Sequence, residues 1–116
     1  RWYRKAVAAA PLEPTLVNEI AWTLAVSTDI ELREPDYARG IMDTLMSGNA
    51  DARKRPEYID TWAAAHAASG DFERARALQS EAVTLAEDDA FADVRTILAE
   101  HLALFERGET VSEAVP

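Results

Sequence analysis

The sequence predicts an all-α protein built from stacked antiparallel helix pairs. Three observations lead there. Alanine is abundant and runs of β-branched residues are absent, so propensity favours helix along nearly the whole chain. Apolar residues recur at spacings of three, four and seven rather than in alternation. The stretch Tyr58–Leu85 (YIDTWAAAHAASGDFERARALQSEAVTL) sets two such stripes on either side of Ser69-Gly70-Asp71. Ile59, Trp62, Ala63 and His66 make the first stripe; Phe72, Ala75, Leu78, Gln79 and Ala82 make the second. A turn this short permits only an antiparallel pair. The small Ala63, Ala75 and Ala82 let its two helices approach closely.

The remaining elements follow in order. Arg1–Ala10 reads as a helix stopped by Pro11, with Tyr3 and Ala6 on its packing face. Pro14 suits a first helical turn, and Thr15–Ser27 carries the stripe Leu16, Ile20, Ala21, Leu24 and Ala25. Ser27–Pro35 (STDIELREP) is a long connection. Asp36–Ser47 is the partner helix, with Ala38, Ile41, Met42 and Leu45 inward and Gly40 expected at a close helix crossing. Ser47–Arg55 is a polar link with a basic end. Ala90–Arg107 is expected as one helix with Phe91, Val94, Ile97, Leu98, Leu102 and Phe105 on one face, ended by a C-cap at Gly108. Val111–Pro116 is expected to fray.

The residues of Tyr58–Leu85 resemble a tetratricopeptide (TPR) repeat: Ile59, Trp62-Ala63, His66, Gly70, Phe72, Ala75, Gln79 and Ala82 stand where that family's pattern places its signature residues. His66 and Gln79 depart from it, since aromatics are usual there. NEIAWTLA resembles the first helix of a TPR variant of bacterial repeat proteins, and HLALFERGE the terminal helix of such arrays. The resemblance implies a right-handed TPR-like superhelix of antiparallel helix pairs with a C-terminal capping helix. Its parts are 1–13 (second helix of a truncated repeat), 14–55 (an extended repeat), 56–89 (a repeat of the family's usual period), 90–107 (cap) and 108–116 (tail). The chain then looks like the C-terminal segment of a longer TPR protein. Trp2 and Tyr3 form an apolar edge that lacks its neighbour, a possible surface for homo-oligomers.

In this family the first helices of successive repeats line a concave groove. By position the groove residues are Thr15, Asn18, Trp22 and Ala25, with Val26, in one repeat, and Glu57, Asp60, Ala64 and Ala67, with Ala68, in the next. Trp22 lies off its helix's main stripe, either packed beneath Ser27–Pro35 or facing a ligand. Glu57 and Asp60, three residues apart, share a helix face and argue for a basic or neutral peptide. The implied function is a non-catalytic protein-protein interaction or assembly scaffold that binds a peptide segment or partner helix. The alternative is an accessory segment of a larger enzyme or multidomain protein that positions another domain or mediates oligomerisation.

Composition narrows the other classes. A net charge of −9 opposes nucleic-acid binding, which needs cations to replace phosphate counterions. The chain has no cysteine, hence no disulfide or thiolate chemistry. No apolar run approaches the roughly 20 residues that span a bilayer; the compartment stays open, with a soluble, cytoplasmic location as the leaning. No metal-ligand spacing, phosphate loop or nucleophile elbow is present, so no cofactor, metal or catalytic residue is expected. His66 is expected as a packing histidine, and Glu87, Asp88 and Asp89 as an acidic helix start.

Overall fold

Proline opens three of the six α-helices in the computed structural model, which describes residues 2–114. The expected helix start at Arg1 and the last tail residues, Val115 and Pro116, lie outside the described residues. The helices are α1 (Trp2–Ala9), α2 (Pro14–Val26), α3 (Pro35–Gly48), α4 (Pro56–Ala68), α5 (Phe72–Leu85) and α6 (Arg95–Glu106). Pro14, Pro35 and Pro56 each sit at a first helical position, where a missing N–H removes no intrahelical bond. Side-chain caps reinforce other starts: Glu13 accepts from the Leu16 N–H, and Asp71 from the Arg74 N–H.

The chain between helices is short and mostly turned. Ser69-Gly70-Asp71 closes α4 with Gly70 at φ +91°, the Asp71 N–H on the His66 carbonyl and the Gly70 N–H on the Ala67 carbonyl. That is a Schellman closure, which needs a left-handed residue and favours glycine. Gly108 ends α6 in the same way at φ +71°. The long 27–35 connection winds into a 3-10 turn at Ile30–Leu32, and the Glu34 N–H returns to the Leu24 carbonyl.

The helices pack as neighbours in sequence order. The hairpins α2/α3 and α4/α5 lie side by side, with α6 against α5 and α4. Helix α4 is central: α2, α3, α5 and α6 all touch it, and residues 59–67 are buried without a break. A helix apolar around most of its circumference needs such a position. Ala63, Ala75 and Ala82 are fully enclosed where α4 meets α5, so small side chains do allow close approach. The core continues through Met42, Leu45, Ile59, Leu78, Leu98 and Phe105.

Five local expectations are corrected. The 90–107 segment is not one helix: a 3-10 turn at Asp89–Phe91 precedes α6. Asp88 caps that turn at the Ala90 N–H, and the Arg95 guanidinium donates to the Ala86 and Glu87 carbonyls left open at the end of α5. Leu98 and Phe105 are buried as expected, but Ile97 is exposed. Gly40 marks no close crossing, since a Cβ built there meets nothing within 4 Å; at Gly48 a Cβ would strike Leu12 at 2.6 Å. Tyr3 is not an open edge residue: it is buried, its ring 5.5 Å from that of Tyr37. The tail does not fray over its described part, for the reason developed next.

Candidate interaction site

A helix C-terminus leaves carbonyls without intrahelical partners, and α2 ends with such groups at Val26 and Ser27. The chain's own C-terminal segment supplies their partners. The Glu113 N–H donates to the Val26 carbonyl at 2.9 Å, and the Thr28 N–H donates to the Glu113 carbonyl at 3.2 Å. The pair Ser27 and Glu113 thus forms one parallel β-type rung. Arg33, from the turn after α2, donates through Nε to the Ser27 carbonyl at 2.6 Å. Its Nη2 reaches Ser112 Oγ at 3.3 Å and the Val111 carbonyl at 3.5 Å. Val111 is buried. Trp22 completes the seat, its Nε1–H on the Glu113 carboxylate at 3.0 Å.

Beneath this seat lies a buried polar cluster joining α4, α5 and α6. Asp60 is 8% exposed and His101 6% exposed. His101 Nδ1 lies 2.7 Å from Asp60 Oδ1, and Gln79 Nε2 donates to the same oxygen at 2.8 Å and to the Leu98 carbonyl at 3.0 Å. The Trp22 ring stands 5.8 Å from the His101 ring, which ties the cluster to α2. Burial pulls the His101 pKa down. The hydrogen bond and charge of Asp60, with the charges of Glu113 and Glu100, outweigh burial and leave it above the ordinary 6.5. Asp60 is the one hydrogen-bond partner of His101 among the described residues. With Gln79 the dyad therefore clamps three helices, α4, α5 and α6.

The second histidine is held differently. His66 is buried with neither ring nitrogen hydrogen-bonded; Asp43 Oδ1 lies 3.4 Å from Nε2. Burial lowers its pKa, and the nearby Asp43 and Asp71 only partly oppose that. Asp43 is committed to Trp62, accepting its Nε1–H at 2.7 Å.

The expected groove residues are placed as follows. Thr15 is exposed on the first turn of α2, and Asn18 is half-buried with its Oδ1 enclosed and unpartnered. Trp22 is half-buried, with its indole N–H on the carboxylate of the C-terminal segment. Ala25, Ala64 and Ala67 are buried and reach no ligand in this conformation, because the chain's own helices surround α4 and the inner side of α2. Asp60 is turned into the α4/α5/α6 clamp, away from any groove. Glu57 is half-buried and accepts from Arg55 Nε at 2.6 Å. The structure brings Trp22 and Asp60 together through His101 and leaves Thr15 and Glu57 apart from them.

Arg33, Gln79, His101, Val111 and Glu113 complete the arrangement and were not anticipated as site residues. His101 shares a helical stripe with Leu98 and Phe105, a signal legible in the sequence. Arg33, Val111 and Glu113 carry no periodic signal. Among the described residues, no group of three or more metal-ligating side chains gathers, and no helix is long and apolar enough to cross a membrane. No family model, no curated protein and no solved structure matches this chain.

Proposed function

We propose that this chain is a non-catalytic protein-interaction module of the TPR-like kind, in which helix pairs 14–55 and 56–89 stack in a right-handed sense and α6 caps them. The Gly70 closure and the alanine-lined α4/α5 contact support the repeat reading. The observation that carries the interaction reading is the seat on α2: an extended segment, Val111–Ala114, is held there by two backbone hydrogen bonds, a buried apolar side chain and a carboxylate that accepts from an indole N–H. Those are the elements by which grooves recognise extended peptides. The chain's own segment is the resident occupant, and a partner segment of similar chemistry takes its place in the bound state.

The donors Trp22 Nε1 and Arg33 select a neutral or acidic extended segment at this seat. The expectation of a basic or neutral peptide drew on Glu57 and Asp60, which are engaged by Arg55 and by His101 with Gln79. The test releases the resident segment with Val111→Asp and offers an array containing the heptapeptide GETVSEA and unrelated sequences. Saturable shifts of the Trp22 indole and Thr28 amide signals are expected with peptides carrying an apolar residue two before a carboxylate. A folded variant that binds no peptide at this seat refutes the reading.

A further inference from the structure

A second surface, lined by different side chains, is open and apolar. A cavity of about 710 Å³ lies between α1, α2 and the 3-10 turn Ile30–Leu32. Leu16, Ile20 and Leu24 form its floor at one-turn spacing along α2, and Trp2 and Leu32 form its sides. Trp2 is 73% exposed, and next to Leu32 stands Ile30 at 80%. Large apolar side chains left this open beside a groove mark an interaction surface. Glu19 and Glu31 complete the lining, and neither carboxylate has an ion pair among the described residues. Arg4, on the adjoining helix, is occupied: it pairs with Glu34 at 2.8 Å and lies 4.1 Å from the centre of the Tyr37 ring.

We infer that this groove docks an amphipathic helix of a partner protein whose apolar stripe is flanked by Lys or Arg. The backbone decides for a helix. The walls are mostly helix, whose interior N–H and C=O groups bond internally, and in the turn the Glu31 and Leu32 N–H groups are taken by Asp29, the Arg33 N–H by Ile30 and the Glu34 N–H by Leu24. An extended strand would find few main-chain partners here, whereas a helix satisfies its own backbone. Side chains on the floor repeat once per turn, the pitch that an opposing helix presents. The charge decides for a basic flank: two uncompensated carboxylates line the groove of a chain of net charge −9. This surface is independent of the α2 seat, and either can fail without the other.

The test titrates the chain with a designed helical peptide that has leucines at one-turn spacing and lysines beside them, and with the same peptide carrying glutamates for the lysines. Amide signals of α1, the first turns of α2 and Ile30–Leu32 are expected to shift with the lysine peptide and not with its acidic twin. Glu19→Lys with Glu31→Lys, both at exposed positions, is expected to weaken that binding about tenfold, and added salt to weaken it in the unmodified chain. Equal binding of both peptides, shifts confined to the Trp22 and Thr28 seat, or concentration-dependent self-association that buries Trp2 with no peptide binding would each overturn the inference.

Discussion

Replacing Asp60 by asparagine tests the buried clamp with little change of shape. The carboxylate accepts from Gln79 at 2.8 Å and sits 2.7 Å from His101 Nδ1, with both residues enclosed. Asparagine keeps one oxygen, the acceptor that both contacts share, but removes the charge that favours imidazolium. A hydrogen bond between charged, buried groups contributes about 1.5–3 kcal/mol and a neutral one about 0.5–1.5 kcal/mol. Asp60→Asn should therefore cost about 1–2 kcal/mol where His101 is protonated, and Asp60→Ala about 3–5 kcal/mol because it also strands a buried partner. The folded His101 pKa is raised, so its contribution is full below the unfolded value of 6.5 and is lost as pH rises through the folded value. Urea unfolding of wild type and Asp60→Asn at pH 5.5 and at pH 8.5 should show the larger difference at the lower pH. A difference independent of pH, with the His101 signals titrating at the same point in both proteins, would refute the ion-pair account of this cluster.

His66 has the opposite sign: its lowered folded pKa means that the unfolded chain takes the proton first, so stability falls as pH drops below 6.5. Proton NMR should find His66 titrating below 6.5 and His101 above it; the reverse order would contradict both assignments. Ala64→Leu and Ala75→Leu each place a larger side chain at a buried position, so both should cost about 1–3 kcal/mol in thermal melts; a mild Ala64→Leu would restore an open wall on α4. Gly70→Val has room around it but must hold φ +91°, a strain of about 1–3 kcal/mol, and an unchanged melting temperature would remove that strain. Val111→Ala should cost about 0.5–1.5 kcal/mol and raise the solvent exposure of Trp22; no change in Trp22 quenching would detach the tail from its seat.

The helix-pair architecture was legible because its signals are local. Periodicity, an N-terminal proline, a capping carboxylate and a left-handed glycine act across four or five residues, so α2 through α5 and the turn at Gly70 can be located from the chain alone. The capping segment shows where local reading stops. Phe91 to Phe105 carries a continuous apolar stripe, yet α6 begins only at Arg95, because Asp88 caps a separate 3-10 turn and Arg95 uses its guanidinium to close the end of α5. Composition could not tell that Asp60 faces inward either. Its position on α4 is consistent with a solvated first-turn acid until α5 and α6 bring Gln79 and His101 to it. The same holds for the expected groove: Ala64 and Ala67 are small on any reading, but whether smallness leaves a cleft or admits another helix depends on what packs over α4. The seat on α2 depends on the longest separation, Trp22 and Glu113 being 91 positions apart. No local pattern encodes that pairing. It is set when the closure at Gly108 turns the chain back from α6 toward the open carbonyls of Val26 and Ser27.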